Sequence, residues 1–407
     1  MSWTTFTLRV QTPLFSGDDP GARSGDSPIR VPSIRGVLRY WFRAVAAGHG
    51  ITDQVKLWEE EQAVFGSTDK PSPIRLRVNG SPPAAGAGTK PDWAGGEKWG
   101  GFHGAHYLLG QGLWHYRNGL TRPYVEPDSE RSEFELEVRL SDDDIANHRF
   151  LLAMWAWLTY GGLGARTRRG FGRLRCVGIS DALPGQFRRY LTTEVSEDAW
   201  QALAGDVIPE PLRGREQTGF PAWITQSTDT TPLPPFPALC PAWWGAAEVV
   251  RPQREFDDAM NIAGRVWRNF RSNATLTHRP SQDDHSPEWT NAIHGEDRRY
   301  PIAAFGLPVG YYSTKSKAKA EVNPVLDGDT IRRASPVWFL PARLPNGTWF
   351  VLTHAFWARL LPGRAALKVT GNIAPTEVDV PDARLARKAW DNWLDQAQRL
   401  PDDFYSR

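Results

Sequence analysis

The chain is poor in cysteine, lysine and long apolar runs. It has two cysteines among 407 residues, Cys176 and Cys240, and no C-x-x-C. A disulfide framework or zinc ribbon is thereby excluded, and the usage suits a reducing cytoplasm. The longest apolar stretch, FLLAMWAWLTY at 150–160, is too short to span a bilayer. The opening MSWTTFTLRVQTPLF lacks the basic start and continuous apolar run of a signal peptide. Net charge is only +2, so any anionic partner must be met by local patches. Only nine of the 48 basic residues are lysine. Codon bias explains the bulk ratio, but it does not explain clustering.

Hydrophobic residues make up 40% of the chain, enough for a sizeable core, and the 19 tryptophans read mostly as core or interface anchors. Alternation of Phe6, Leu8 and Val10 predicts a half-buried strand, ended by Pro13. A helix is expected from Ile34 to about Ala47, capped by Ser33 and stopped by Gly48. WEEEQAVFGS reads as a short helix ending at Gly66, and 73–80 as a strand. Residues 81–101, rich in glycine, proline and alanine, read as a loop insertion. Residues 132–140 alternate as a strand. Asp142, Asp143 and Asp144 lie where they can cap an apolar helix running to about Tyr160, and 173–179 returns as a strand. The order fits a βαββαβ domain.

A proline-rich connection at 226–242 leads into a second half. Residues 255–271 predict an amphipathic helix with Arg265, Arg268 and Arg271 near one side. A long polar loop follows. PIAAFGLPVGYY reads as a strand, STKSKAKAEVNP as a lysine-bearing loop, 331–344 and 347–356 as a strand pair, and RLARKAWDNWLDQAQRL as a closing helix. The expected class is α+β, and this half repeats elements of the first: a helix with aligned arginines and a small-residue basic loop before a strand.

The most unusual stretch is TYGGLGARTRRGFGRL at 159–174. Gly161, Gly162, Gly164, Gly170 and Gly172 alternate there with Arg166, Arg168, Arg169 and Arg173, with no acid or lysine. Neither a P-loop nor a G-x-G-x-x-G fingerprint is present. Guanidiniums meeting successive phosphates, with Phe171 stacked on a base, would suit single-stranded RNA. The plainer account is a tight turn packing helix to sheet with solvated arginines. Arg35, Arg39 and Arg43 step along one helix side, just after Arg30, with no nearby acid expected to pair them. The alternatives for them are an anion site or a solvated face. Arg332 and Arg333, with Lys315, Lys317 and Lys319, form a weaker basic group.

His49, His103, His106 and His115 are the histidines best placed to suggest acid–base catalysis, but none sits in a convincing constellation. No metal site is expected, since the pair His103/His106 lacks a third ligand and the 142–144 aspartates read as caps. No cofactor motif is present.

FTLRVQTPLFSG, IRVPSIRGVLRYWFRA, EEEQAVFGS and YGGLGARTRRGFG, in that order, resemble the RAMP proteins of type III CRISPR systems. Within them, they resemble the first-numbered subunit of the Cmr (type III-B) effector complex, and FGLPVGYY and RRASPVWF resemble its C-terminal part. The likeness is weakest at 81–125 and 180–240. It implies two ferredoxin-like, RRM-related βαββαβ domains with long loop insertions, at 1–190 and 191–407, in a non-enzymatic subunit for RNA binding and assembly in antiviral defence, located toward the 3′ part of the CRISPR RNA. Its partners would be CRISPR RNA, target RNA and sister RAMP subunits, in the cytoplasm and away from membrane. It carries the glycine-rich loop onto Gly161–Gly172 and the basic first helix onto Arg35, Arg39 and Arg43. The alternatives are a RAMP-fold endoribonuclease processing precursor CRISPR RNA, with His49 or His103 as its base, and a protein scaffold whose basic patches meet acidic neighbours.

Overall fold

The computed structural model describes residues 2–16, 25–26, 29–96, 103–127, 130–180, 183, 185–192, 206–228, 230–273, 292–293, 300–312, 316–371 and 376–399. Most of the polar loop beyond residue 273, and Lys315, lie outside the described residues.

The chain is a mixed α/β fold with antiparallel sheets. In the first half, four strands lie in the order Arg75–Asn79, Glu133–Arg139, Thr4–Val10, Leu174–Ile179. The alternation seen in the sequence sets one face inward: Phe6 lies opposite Leu136 and Leu8 opposite Phe134, all buried. The helices Val31–Gly48 and Asp144–Tyr160 pack against each other in the same core. The second helix ends where expected and takes its cap from Asp143, whose carboxylate accepts from the Ile145 and Ala146 N–H groups. The first starts three residues early. Pro32 fits its first turn, where no backbone donor is needed, so Arg30 and not Ser33 sits at the cap position, and Gly48 lies inside the helix. The helix Gln54–Phe65 follows, capped by Asp53 and closed by Gly66.

The described part of the insertion, 81–96, is more ordered than its composition suggests. Pro83–Ala85 is a strand, Asp92–Ala94 is a helical turn, and Trp93 lies in an aromatic cluster with Phe15, Tyr124 and Phe171. Beyond it, Gly104–Leu109 forms a helix that packs on Phe256–Asn273 of the second half. A Cβ on Gly104 would overlap the Asn261 carbonyl, and the Gly104 N–H is bound by the Asn261 side chain at 2.9 Å.

The second half holds a three-stranded sheet, ordered Trp244–Gln253, Trp349–Phe356, Val337–Arg343. The helices Phe256–Asn273 and Ala383–Gln398 pack against it. A separate sheet carries Val309–Tyr312, Lys319–Leu326, Ala366–Gly371 and Thr376–Val378, with Asp329–Thr330 paired to Lys319–Leu326. Two expectations change here. Pro301–Phe305 is a helical turn, and only Val309–Tyr312 is strand. The lysine-bearing loop is largely strand, because Ala320 and Val322 alternate inward while Lys319 and Glu321 face out.

The halves share their cores. Trp41 of the first helix meets Trp338, His354 and Phe356, with ring centroids 5.4–6.4 Å apart. Phe171 belongs to the core built mainly by the second half. Among the described residues no helix is long and apolar enough to cross a membrane.

Candidate nucleic-acid interface

The glycine–arginine loop divides into a buried frame and a cationic tip. In the frame the glycines accommodate the protein itself. A Cβ on Gly161 would press on the Trp41 indole nitrogen at 2.5 Å, one on Gly162 on the Gly172 carbonyl at 2.8 Å, and one on Gly164 on the Phe15 carbonyl at 2.5 Å. Gly170 backs onto Pro341, and Gly172, at φ +71°, has no room for a Cβ beside the Leu163 carbonyl. The Thr12 hydroxyl donates to the Gly170 carbonyl at 2.8 Å and accepts from the Arg173 N–H at 2.9 Å. The tight turn packing helix to sheet therefore accounts for these glycines.

Two expected RNA contacts fall with that frame. Phe171 is fully buried against Phe15 and Trp93 and cannot stack on a base. Arg173 is also buried. It donates to the Thr159 and Gly161 carbonyls at 3.0 and 2.9 Å, and burial lowers its pKa to about 10. It ties the loop to the end of the preceding helix.

The tip differs. Arg166 is exposed, in the left-handed region at φ +62°, with its guanidinium over the turn at Gly110. The Arg168 guanidinium lies 4.7 Å from the Trp338 ring centroid and 5.6 Å from that of Tyr40. Arg169 lies over Trp267 at 5.2 Å and Phe339 at 5.8 Å, and donates weakly to the Val337 carbonyl at 3.5 Å. Its backbone bridges Phe339, whose N–H donates to the Arg168 carbonyl at 3.1 Å. Burial, then the charge of Arg271, bring the pKa of Arg169 down to about 9, with Arg166 and Arg168 adding to the repulsion. Arg333 is lowered by burial, with Arg168 acting in the same direction and Tyr40 against it. The tip thus joins Arg166, Arg168 and Arg169 to Arg271 and Arg333 from the second half. Among the described residues, no carboxylate acts on Arg169 or Arg333. Cations gathered without a counter-ion repel each other, and an outside anion relieves this.

The first-helix arginines behave otherwise. Arg43 makes a two-pronged pair with Glu61, and Arg39 approaches the same carboxylate at 3.5 Å while donating to the Phe65 and Gly66 carbonyls at 3.2 and 2.7 Å. Glu61 is buried, so the expected absence of a nearby acid is overturned by the next helix. Arg35 is partly exposed on the same helix and Arg30 exposed at its start. The helix does lie beside the loop, through Tyr40 and Trp41. Arg332 is exposed next to Arg333, whereas Lys317 and Lys319 belong to the second-half sheet region, with Lys319 over Tyr312 at 5.9 Å.

The histidines are mostly structural. His49 closes the first helix, hydrogen-bonds the Pro221 carbonyl at 2.8 Å and stacks on Trp223. His103 caps the Gly104–Leu109 helix, and burial, reinforced by His106 and Arg265, pulls its pKa to about 3. His106 bonds the Ala94 carbonyl and stacks on Trp114, while His115 is exposed. Sequence reasoning passed over His354. It lies fully buried among Trp41, Tyr160, Trp244, Trp338 and Phe356, with neither ring nitrogen hydrogen-bonded. Burial holds it well below the usual histidine range, and Arg173 and Arg168 add to this. Among the described residues no group of three histidine, cysteine or acidic side chains could hold a metal ion.

The sequence model of the RAMP superfamily matches residues 7–175. Two curated relatives come from Pyrococcus furiosus. CRISPR system Cmr subunit Cmr1-1 is 33% identical over 154 residues, 37% of this chain and 41% of its own length. Cmr1-2 is 28% identical over 187 residues, 44% of this chain and 97% of its own. The match to Cmr1-1 thus spans less than half of that protein. The crystal structure of Cmr1 from P. furiosus in its apo form superposes over 98% of each chain with a TM-score of 0.56 and 18% identity, a likeness of fold.

Proposed function

We propose that this chain, a homologue of the P. furiosus Cmr1 subunits, is a non-catalytic RNA-binding and assembly subunit of a type III-B CRISPR effector complex. In that role it sits toward the 3′ end of the CRISPR RNA and contacts CRISPR RNA, target RNA and other RAMP subunits in cytoplasmic antiviral defence. The reading is carried by the assembly of Arg166, Arg168, Arg169, Arg271 and Arg333, which spans both halves and, among the described residues, has no carboxylate acting on Arg169 or Arg333. RNA phosphates supply the missing anion, and the contacts are independent of base identity. Arg30, Arg35 and Arg332 extend the basic surface. Arg39 and Arg43 act indirectly, by holding Tyr40 and its helix beside the loop.

Residues 1–190 and 191–407 are read as two ferredoxin-like domains. Taken in chain order, the first sheet's strands lie four, one, three, two across the sheet, which supports that reading. The second half's three described strands lie one, three, two, the same order as three of the four strands of the first sheet. The burial of His49 and His103 supports a binding role over the endoribonuclease alternative.

Single-stranded RNA binding measured across a salt series tests the proposal. Arg166→Gln/Arg168→Gln/Arg271→Gln should weaken binding and flatten the salt slope by roughly 0.7 log units for each phosphate no longer neutralised. An unchanged slope would overturn the site. Efficient cleavage of repeat RNA in EDTA, abolished in His49→Ala or His103→Ala, would overturn the non-catalytic role.

A further inference from the structure

A second basic cavity lies in the C-terminal half, apart from the loop tip in its residues. It has a volume of about 320 Å³ and opens between the helix Ala383–Gln398 and the segment at 227–243. Its volume falls at the lower end of the range for small-ligand sites. Three features are built into it. Arg384, Arg387 and Lys388 stand at spacings of three and four on one helix face and line one wall. Trp243, Trp357 and Leu233 give an apolar lining, with Trp357 braced edge-on by Trp390 at 5.5 Å. Ser227, Thr228 and Thr231 give a hydroxyl wall.

The guanidinium of Arg384 is held in advance. It donates to the Thr231 carbonyl at 2.7 Å, and Asp382 lies 4.0 Å away while also accepting from the Arg384 N–H at 2.8 Å. The hydroxyls of Thr228 and Thr231 are 2.8 Å apart, which fixes the opposite wall. Among the described residues, Asp391 is the acid lining the cavity. Burial raises its carboxyl pKa, and Arg387 opposes that. Among the described residues, Arg384, Arg387 and Lys388 face Asp391 in the lining and Asp382 beside Arg384, so cations outnumber carboxylates by one.

We propose that this cavity binds a single phosphate-bearing nucleotide. The guanidiniums and Lys388 take the phosphate, the hydroxyls the ribose, and the indole and leucine lining the flat base. The cavity holds one nucleotide and not a run of them, which separates it from the open cationic tip of the loop. The ligand is either a free mononucleotide or the phosphorylated end of an RNA strand. The site does not depend on the loop's binding RNA.

The test is calorimetric titration of the full chain with AMP, adenosine and inorganic phosphate, with Arg387→Gln/Lys388→Gln as the comparison. Both side chains are exposed, so the variant should fold, and an unchanged melting temperature verifies it. AMP should bind, adenosine and phosphate should each bind at least about tenfold more weakly, and the variant should lose at least about tenfold in AMP affinity. Competition by a 5′-phosphorylated oligoribonucleotide, in an Arg166→Gln/Arg271→Gln background, separates the sources. Displacement of AMP by that oligomer, but not by its 5′-hydroxyl form, assigns the site to a strand end. Retention of AMP assigns it to a free nucleotide. Absence of AMP binding, or AMP affinity unchanged in the folded variant, overturns the proposal.

Discussion

Two arginine groups that look alike in the sequence have opposite fates in the fold. On the first helix, Arg39 and Arg43 close on Glu61 and on the carbonyls that end the next helix, so the two guanidiniums share one carboxylate within the protein. In the loop, Arg166, Arg168 and Arg169 lie on a glycine turn, on aromatic faces and beside further arginines. Charge density alone did not separate the groups. The deciding fact is whether the fold delivers a carboxylate, and among the described residues Glu61 goes to the first-helix group. A buried carboxylate shared by two guanidiniums is a staple, whereas guanidiniums spread over indoles keep their N–H edges for an outside anion.

The largest expected effect breaks the comparison at the loop's frame. Gly172→Ala places a methyl on the Leu163 carbonyl in a left-handed backbone and should cost roughly 3 kcal/mol or more in denaturant unfolding. A native-like midpoint would return the loop's glycines to a ligand-facing role. The next effect sharpens the contrast between the arginine groups. Glu61→Gln leaves Arg39 and Arg43 short of their partner and should destabilise by about 2 kcal/mol, a value discounted because Arg43 is half exposed. The salt slope of RNA binding should stay as in the parent. A flattened slope would move Arg39 and Arg43 into the interface.

The smallest effect concerns acid sensitivity behind the tip. His354 is held neutral, with a folded pKa below its unfolded value of about 6.5. Its contribution to stability is complete above that pH and declines as pH falls, because the unfolded chain takes up the proton. The buried His103, lowered to about 3, acts in the same direction. His354→Phe should therefore flatten the loss of stability as pH falls below about 6.5, read from denaturant midpoints across a pH series. Equal slopes in parent and variant would mean that the imidazole is hydrated in solution.

Local pattern carried much of the first half. Alternation located Thr4–Val10 and Glu133–Arg139, and the 142–144 aspartates marked the start of a helix that ends at Tyr160. Pattern failed where tertiary contacts decide. Gly104–Leu109 forms a helix in a glycine-rich stretch because Gly104 seats against Asn261, 157 residues away. Phe171 and Arg173 share the loop's sequence signal with Arg166 and Arg168 but are drawn inward by Phe15, Trp93 and the end of the preceding helix. Arg271 was visible on an amphipathic helix and Arg333 in a weaker basic group. Only the pairing of the halves sets them beside Arg169 and Arg168.

That pairing has a mechanical consequence. The backbone bridge between Arg169 and Phe339 makes the loop an extra rung of the second half's sheet. There is accordingly no free hinge beneath the cationic tip. A strand drawn across it would load the seam between the halves directly, and whatever pries that seam apart would dismantle the grip as well. Ligand occupancy and cohesion of the two halves should therefore rise and fall together, with each measurable through the other by thermodynamic linkage.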